Sequence, residues 1–535
     1  MRKKAAAILC AISLCILPLT ACQGAVELLG QEPEEETRGV LSQEVIIPME
    51  KVTTLNPAVS NEEDTYHIGK LIYEGLFSLD KTLAPVGELA ESWEYGEDGD
   101  SLTITLRQGV LWHDGEAFTA EDVVFSIEAH QRYGGAGLSP YGSSVAGIRS
   151  ARAVDASTVL IAFSDPQNAA LENLTFPILP QHQFRNLSAL GSSDSGFVPI
   201  GTGPYKVLEL DMSSHLTLTG HENHWEQVPG NVLTFKILPD KSTAVNLFDI
   251  YEYSLTIMKE PDREALLSSR DAAEESFPSN EAEVLGFNTA RVPLSDSRVR
   301  QAAALAADAE RILSTCYYNS GILCDSIYYP GYLGTEAGGD PYEYDISQAT
   351  ALLDQAGCAD ADGDGYRESP EGEEMELLLL VSADNEGRTA AAELVRAGLE
   401  EAGLRVQVRA LPFAEFEVAL AEGDYDLFLG GYRFRETYDL RSLLHSSGNP
   451  VTGYADATLD LYLDQMQSAV SLEEKRAALA SVKEILIREL PYYCLLYKTY
   501  GFVASPYLQG EQEAMFNDHY RSAASWSCEY TVTTE

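Results

Sequence analysis

The sequence predicts a mixed α/β protein with more than one lobe, and three observations support this fold class. Helical and extended patterns alternate over much of the chain, as expected for layers of helices on sheets. Residues 375–381 form a nearly continuous apolar run, which is typical of a strand whose sheet is covered on both faces. The chain has 535 residues, of which 45% are hydrophobic. Such a chain is long enough to bury several cores, so we expect two lobes or more.

The N-terminal segment has the pattern of an exported lipoprotein precursor. Basic residues at positions 2–4 precede an apolar segment at 5–17, which is too short for a comfortable span of a bilayer. Residues 19–22, Leu-Thr-Ala-Cys, match a bacterial lipobox. We therefore expect a lipoprotein signal peptide over residues 1–21 and a lipid attached to Cys22. An ordinary signal peptide followed by a chance cysteine is the alternative.

The acidic composition excludes one class of partner. The chain has 36 basic and 83 acidic residues, which gives a formal net charge of −47. Such a charge repels nucleic acid and anionic lipid, so we expect no nucleic-acid partner. We interpret the acidity as an adapted, solvated surface, with attraction of cationic ligands as the alternative. Residues 22–39 are rich in glutamate and are predicted to form an acidic tether.

Residues 101–125 carry the most informative local pattern. Leu102, Ile104 and Leu106 alternate with polar residues, which predicts a half-buried strand. After a turn, Thr119 and Asp122 have the spacing of a capping box, which predicts the beginning of a helix. The segment is scaffold and carries no chemistry of its own.

Further elements follow along the rest of the chain. Strands are predicted at residues 232–238, 404–408 and 493–497, and helices at 390–402 and 471–490. The second helix begins with a capping box formed by Ser471 and Glu474, and Pro491 ends it.

Short segments elsewhere in the chain occur in an order that identifies a family. They are Thr54-Leu55-Asn56-Pro57 and residues 72–76, 89–93, 201–205, 285–288, 296–302, 349–357 and 425–427. Together with residues 101–125 they closely resemble the family 5 extracellular solute-binding proteins, the peptide- and nickel-binding lipoproteins that supply ABC importers. The resemblance implies an α/β, two-lobe periplasmic-binding-protein-like fold of the large, cluster C type, with a subdomain inserted in lobe 1.

The resemblance also implies the domain boundaries. Lobe 1 comprises residues 40–284 plus 492–535, with the inserted subdomain at about 81–196, and lobe 2 comprises residues 285–491. The chain crosses between the lobes twice, near residues 285–288, where a crossing strand begins, and near residue 490.

The function implied by the resemblance is capture of short peptides between the lobes and their delivery to the transmembrane subunits of an ABC permease. The protein is then a monomer, extracytoplasmic and anchored to the outer face of the bacterial cell membrane through Cys22. The residues implied in the cleft are Thr54 and Leu55 on the first strand, Phe287 and Asn288 at the crossing, and Tyr432, Arg433, Arg435 and Asp439 on a late loop.

The late loop departs from the pattern of peptide-binding members. In those members an aromatic residue is followed three positions later by an aspartate that holds the peptide α-amino group. Tyr432 matches the aromatic residue, but Arg435 stands at the position of the aspartate. Arginine suits a carboxylate or phosphate and repels an ammonium group, so we expect N-acetylated or acidic peptides to bind at least as well as free ones. Glu436 or Asp439 is the alternative partner for a free amine.

Other ligand alternatives stay open at this point. An anionic or amine-blocked solute is the main rival to a peptide, and a nickel chelate is the third alternative. Arg433 and Arg435 have a further interpretation, in which they only offset nearby acids on the surface.

One acidic loop has the ligand spacing of a calcium site. Asp360, Asp362 and Asp364 occupy positions 1, 3 and 5 of an EF-hand count, and Glu371 occupies position 12. Pro370 would strain the exit of such a loop, so we favour a structural turn and expect no cofactor. Residues 221–224, which include two histidines, are interpreted as a solvated loop instead of a metal site.

The sequence offers no pattern for catalysis. It lacks a Gly-x-Ser-x-Gly elbow, a His-Glu-x-x-His helix and a phosphate loop, so we predict that the protein is not an enzyme, with an extracytoplasmic hydrolase as the alternative of another class. Five cysteines lie beyond the lipobox, and their pairing stays open. They are Cys316, Cys324, Cys358, Cys494 and Cys528.

Overall fold

The computed structural model describes residues 37–184, 186–191, 197–239, 244, 253–259, 263, 267 and 272–533. The predicted signal peptide, Cys22 and most of the tether lie outside these residues. In the described part, no helix is long and apolar enough to span a membrane. The chain divides into a large unit at residues 42–528 and a small unit formed by its two ends.

Helices and strands alternate through the described residues, which confirms the mixed α/β class. The strands are β1 (Thr37–Ser42), β2 (Glu44–Glu50), β3 (Phe77–Leu79), β4 (Pro85–Gly87), β5 (Ala90–Tyr95), β6 (Ser101–Leu106), β7 (Ile148–Asp155), β8 (Thr158–Phe163), β9 (Tyr205–Asp211), β10 (His215–Gly220), β11 (Val232–Leu238), β12 (Leu255–Met258), β13 (Ala273–Phe287), β14 (Gly321–Ile322), β15 (Glu376–Ser382), β16 (Arg405–Leu411), β17 (Leu427–Arg433), β18 (Tyr492–Ala504), β19 (Leu508–Gln509) and β20 (Ser527–Thr533). The α-helices are α1 (Glu63–Ile72), α2 (Ala120–Gly135), α3 (Gly142–Val145), α4 (Leu187–Leu190), α5 (Ser297–Ala306), α6 (Ala309–Cys316), α7 (Ile346–Ala356), α8 (Glu386–Glu401), α9 (Phe413–Glu422), α10 (Arg441–Leu444), α11 (Ala457–Ser468) and α12 (Leu472–Glu489).

The first large sheet has the order β2-β11-β10-β9. Strand β2 runs parallel to β11, whereas β10 is antiparallel to both of its neighbours. The alternate residues Val45 and Ile47 of β2 are buried, as expected for a strand with one face on a core. Helix α1 packs near β9, so this sheet is the base from which α1 presents its outer face.

The predicted strand and helix within residues 101–125 are confirmed. Leu102, Ile104 and Leu106 of β6 are buried, and β6 lies in a separate sheet of order β5-β6-β8-β7. Helix α2 follows with the predicted capping box, in which the Thr119 N–H donates to Asp122 Oδ2 at 2.9 Å. The helix packs on β7 and β8, which gives this part of the chain a core of its own.

The central sheet has the order β12-β18-β13-β17-β15-β16, with β14 paired beside it on β18. Strands β13 and β18 have 15 and 13 residues and pair antiparallel over most of their length. At the other end of the sheet, β15 runs parallel to both β16 and β17. Its residues 379–381 are almost completely buried, because helices cover this parallel part of the sheet, as the apolar run predicted.

The beginning of β13 was predicted wrongly. Residues 285–288 were expected to begin a crossing strand, but β13 begins at Ala273 and ends at Phe287. Its register on β18 shifts between Pro278 and Ala282. A proline and a register shift interrupt the alternation that identifies a strand in a sequence, so the first half of β13 was not recognised.

The five cysteines beyond the lipobox are all buried, and none of them forms a disulfide in the described structure. Burial raises the pKa of the Cys324 thiol to about 12, so this thiol stays protonated at neutral pH. The cysteines therefore act as small apolar residues of the cores.

Candidate functional site

Helix α1 faces the loop that follows β17, and one hydrogen bond joins them. The Tyr66 hydroxyl on α1 donates to the carboxylate of Glu436. The ring of Tyr66 stacks on that of Tyr141, with the ring centroids 6.0 Å apart. Burial and the charge of Glu436 raise the pKa of Tyr66 well above its usual range. The hydroxyl therefore stays protonated and donates to the carboxylate.

A second carboxyl group, that of Asp518, lies close to Glu436 in the same region. Burial raises the pKa of Asp518, the charges of Lys70 and Arg521 oppose this increase, and the carboxylate of Glu436 adds to it. The Lys70 ammonium lies 5.5 Å from the centre of the Tyr66 ring. We call the residues Tyr66, Lys70, Glu436 and Asp518 the interlobe cluster, because the boundaries expected from the sequence assign Glu436 to lobe 2 and the other three residues to lobe 1. It brings two carboxyl groups together in a partly dehydrated place, where a cation is stabilised.

A pair of carboxyl groups lies behind this cluster. Glu74 is buried and its Oε1 accepts hydrogen bonds from Trp225 Nε1 at 2.7 Å and His224 Nε2 at 3.2 Å. Glu88 accepts the N–H of Gly75 at 2.7 Å. Burial, followed by the charge of Glu74, raises the pKa of Glu88 to about 8. One of the two carboxyl groups is therefore neutral at pH 7.

The histidines at residues 221–224 are not on a solvated loop, which corrects the prediction. His221 is 1% exposed, and the His224 side chain is 5% exposed where it meets Glu74. The ring of His221 packs edge-on against that of His113, with centroids 4.8 Å apart. The polar sequence gave no sign of this burial, because the burial depends on the fold, which places His224 and Trp225 against Glu74.

Aromatic residues that stand near Glu436 and Asp518 in the sequence pack with other aromatic side chains. The Tyr438 ring lies 5.2 Å from that of Tyr332 and 5.4 Å from that of Phe434, and the ring of Tyr329 lies 5.8 Å from that of Phe516. Phe434 and Tyr438 flank Glu436 in the sequence, whereas Phe516 precedes Asp518 by two residues. These five aromatic residues are all buried in one apolar core.

Four of the predicted cleft residues are buried in the scaffold. Leu55 and Phe287 belong to apolar cores, and Thr54 holds α1 through its carbonyl group, which accepts the Thr65 hydroxyl at 2.8 Å. The Asn288 side-chain amide donates to the carbonyl oxygen of Tyr425 at 3.0 Å. These contacts give the four residues a role in positioning the strand ends around the site.

The late loop brings Glu436 inward, and not Arg435, which stands at the position of the amine-binding aspartate of peptide-binding members. Tyr432 is half-buried and stacks on Phe434, with centroids 6.1 Å apart. Arg433 is 72% exposed and pairs with Glu281, and Arg435 is exposed. It is Glu436, half-buried, that reaches Tyr66.

Asp439 also lies outside the interlobe cluster. Its carboxylate forms a two-point ion pair with Arg441, with N–O distances of 2.7 and 2.9 Å.

Glu436 is the one member of the interlobe cluster that was named from the sequence, whereas Tyr66, Lys70 and Asp518 were missed. A signal for two of them existed, because Tyr66 and Lys70 are four residues apart and share one face of α1.

The predicted calcium loop forms a tight turn. Asp360 accepts the N–H of Gly363 at 2.7 Å, and Asp364 accepts a guanidinium N–H of Arg405 at 2.9 Å. Oxygen atoms of Asp360, Asp362 and Asp364 lie within 4.8 Å of one another, in a group that does not include Glu371. The turn already uses these carboxylates as acceptors, as the favoured structural interpretation expects, and calcium binding stays an untested alternative.

Comparison with known proteins identifies similar chains and folds. The family model described as bacterial extracellular solute-binding proteins, family 5, middle region, matches residues 84–450. The oligopeptide-binding protein AppA of Bacillus subtilis is 22% identical over 548 residues, which covers 98% of this chain and 99% of AppA. The nickel-binding periplasmic protein of Escherichia coli is 25% identical over 371 residues, 67% of this chain and 69% of that protein. The structure of HbpA2 from Haemophilus parasuis superposes with a TM-score of 0.77 at 21% identity, covering 91% of this chain and all of HbpA2. This likeness in fold confirms the predicted two-lobe α/β architecture.

Proposed function

Because this chain belongs to the bacterial extracellular solute-binding proteins, family 5, we propose that it is the solute-binding component of an ABC importer and carries short peptides. In this proposal the peptide is held between the two lobes and delivered to the transmembrane subunits of a permease. The name of the relative AppA supports a peptide as the solute. Nickel, named for the second relative, supports the alternative of a metal chelate.

The observation that carries the peptide proposal is the apposition of Glu436 and Asp518. Each carboxyl group is half-buried, and the charge of Glu436 adds to the raised pKa of Asp518. A peptide ammonium group between them removes this repulsion and adds charge-assisted hydrogen bonds. The interlobe cluster therefore matches the N-terminal end of a peptide.

In this proposal Glu436 pairs with the peptide amine, which in peptide-binding members is the role of the aspartate at the position of Arg435. The exposed guanidinium group of Arg435 lies beside the path of the ligand and not at the amine. An anionic or amine-blocked solute remains the alternative, in which Arg435 turns inward and pairs with a carboxylate of the ligand.

Calorimetry with a free peptide and its N-acetylated form distinguishes the two alternatives. If Glu436 holds the amine, the free peptide binds more tightly, and Glu436→Gln weakens it by at least about tenfold, since a charged hydrogen bond contributes about 1.5–3 kcal/mol. Arg435→Asp serves as the matched variant next to it. If instead the acetylated peptide binds at least as well and Arg435→Asp reverses that preference, Arg435 faces the ligand and the proposal for Glu436 is wrong.

We further propose that the protein binds its solute without converting it. The interlobe cluster contains carboxyl groups and a tyrosine but no histidine or serine pair arranged for nucleophilic attack. The test is to incubate the peptide that binds with the protein and to follow it by mass spectrometry. Recovery of the intact peptide supports a carrier, whereas cleavage supports the alternative of an extracytoplasmic hydrolase.

The last part of the proposal is that the protein is a monomer held at the outer face of the cell membrane by a lipid on Cys22. Cys22→Ser removes the only thiol of the lipobox and is expected to release the protein into the medium. Cys15→Ser, within the apolar signal segment, is the matched control and should leave the protein on the membrane. A Cys22→Ser protein that still sediments with membranes after a carbonate wash contradicts lipid attachment.

A further inference from the structure

Two histidines and a glutamate meet where helix α1 faces the C-terminal segment. Glu63 and His67 lie one turn apart on α1, with His67 Nε2 3.9 Å from Glu63 Oε1. His519 packs on His67, with the two rings 3.4 Å apart between centroids and inclined by 11°. Ligand atoms of all three residues lie within 4.8 Å of one another. Both histidines are 3% exposed, so the two imidazole rings are held in place by their surroundings.

We propose that Glu63, His67 and His519 form a binding site for a divalent transition-metal ion, with Zn²⁺ as its simplest occupant. Two imidazole nitrogens and one carboxylate oxygen form a donor set that binds zinc, nickel or copper in preference to calcium or magnesium. The spacing of Glu63 and His67 places both on one face of α1. The third ligand comes from a segment about 450 residues away in the chain, so the metal would join two elements that only the fold brings together.

The site has room for a further ligand. A cavity of about 360 Å³ is lined by Glu63 and His519. A zinc ion with three protein ligands keeps one position for water or solute, and the cavity lies where that position would open. The ammonium groups of Lys51 and Lys259 line the cavity as well, but they are outnumbered there by carboxylates, since Glu50, Glu62 and Asp64 join Glu63 in the lining. Together with the overall charge of −47, these carboxylates make the potential there attractive to a cation.

Metal binding requires small movements, which the geometry defines. Ligand atoms of a tetrahedral zinc site lie about 3.3 Å apart, since each bond is about 2.0–2.1 Å long. Glu63 must therefore approach His67 by roughly half an ångström, and the two parallel rings must tilt so that their nitrogens converge on one point.

Among the described contacts, two compete with the metal. His67 Nδ1 accepts the backbone N–H of His519 at 3.4 Å, which is long for a hydrogen bond. Coordination through Nε2 places the proton on Nδ1, so this contact is lost and the backbone at His519 shifts. The Lys259 ammonium group lies 2.5 Å from Glu63 Oε1 and must share that carboxylate or release it.

The site can be tested with Zn²⁺ alone, independently of peptide binding. The full chain, purified without a polyhistidine tag and freed of metal by a chelator, is titrated with Zn²⁺ by calorimetry. We expect one equivalent to bind, and His67→Ala and His519→Ala each to weaken binding at least tenfold. Two control variants should bind Zn²⁺ as the unmodified protein does: His182→Ala, which changes a half-exposed histidine paired with Asp114, and Asp362→Ala, which changes the acidic loop.

Substitutions at two less buried residues keep the test decisive if a histidine variant misfolds. Glu63→Gln removes the carboxylate ligand from a side chain that is 47% exposed, and is expected to weaken Zn²⁺ binding. Lys259→Met removes the competing ammonium group and is expected to strengthen it. Equal affinity in the unmodified protein, His67→Ala and His519→Ala would overturn the proposal, as would a protein that binds no Zn²⁺. Neither result bears on whether peptides bind at the interlobe cluster.

Discussion

Glu88 shows how the surroundings of one residue set a pH dependence that the sequence does not reveal. Its carboxyl group faces Glu74, Lys70 and Asp518, and it accepts the N–H of Gly75. The pKa rises from the usual 4.5 to about 8, mainly because burial disfavours the ionised form. In the folded protein this carboxyl group is therefore protonated at neutral pH, whereas in the unfolded chain it is ionised.

This difference predicts a loss of stability as the pH rises. Between pH 4.5 and about 8 the folded state holds one more proton than the unfolded state, so the free energy of unfolding decreases with pH across this window and then levels off. Glu88→Gln cannot ionise. We expect its melting temperature to exceed that of the unmodified protein at pH 8.5, and the difference to shrink towards pH 5.

Melting curves recorded from pH 5 to pH 9 measure this effect. Glu91→Gln, on an exposed part of β5, is the matched control and should follow the unmodified protein at every pH. If Glu88→Gln and the unmodified protein keep a constant difference across the range, Glu88 does not hold a proton in the folded state.

The late loop shows the limit of residue-level prediction from sequence. The position of the loop and the role of Tyr432 as its aromatic residue were predictable, because a short motif fixes them. Which neighbouring side chain points inward was not predictable, since a change of one residue in the path of a loop exchanges Arg435 for Glu436. Of the two, only Glu436 has a partner on α1 in the structure.

At the scale of elements, capping boxes gave the most accurate predictions. Helix α12 begins at Leu472, where Ser471 accepts the N–H of Glu474, and α2 begins at Ala120 as predicted. Helix α8 begins at Glu386, four residues before the predicted position, because the side chain of Asn385 caps it. A local hydrogen bond of this kind can be read from neighbouring residues, whereas the pairing of the polar half of β13 depends on β18, which is distant in sequence.

A buried ion pair joins α12 to the chain near residue 172. Lys475 and Glu172 are 7% and 3% exposed, and their side chains form an ion pair. Beside them, the Gln167 side chain donates to Asp464 at 3.0 Å. Removing one member of a buried pair leaves an uncompensated charge, which costs about 3–5 kcal/mol.

We therefore expect Lys475→Met to lower the midpoint of urea unfolding, and the double variant Lys475→Met/Glu172→Leu to recover most of the loss. Lys206→Met is the matched control, because its partner Glu222 is 63% exposed and exposed pairs contribute about 0–1 kcal/mol. A double variant that unfolds as early as Lys475→Met would show that the pair itself, and not a stranded charge, holds these elements together.

At the scale of the whole molecule, the family and the two-lobe fold were predictable, because they depend on many short segments in a fixed order. The interlobe cluster was not. Its members come from residues 66, 70, 436 and 518, and apart from the four-residue spacing of Tyr66 and Lys70 nothing in the sequence relates them. Their apposition depends on the paths of β13 and β18 through the central sheet, so the residues that would hold a peptide amine could only be proposed once the topology was known.

The whole-molecule prediction concerns closure around a peptide. A ligand that contacts both Tyr66 on α1 and Glu436 on the loop after β17 stabilises the arrangement in which these two elements are close, by its difference in affinity between the closed and open states. Such a peptide should therefore raise the melting temperature and reduce the radius of gyration together. At a concentration 100 times its Kd, the added stability is about 2.7 kcal/mol.

Scattering and melting experiments on the same samples measure both effects. The variant Glu436→Gln, which is expected to keep the fold but to weaken amine pairing, should lose both effects in parallel. A peptide that raises the melting temperature without compaction would bind to one lobe only, and the proposal that the solute is held between the lobes would then be wrong.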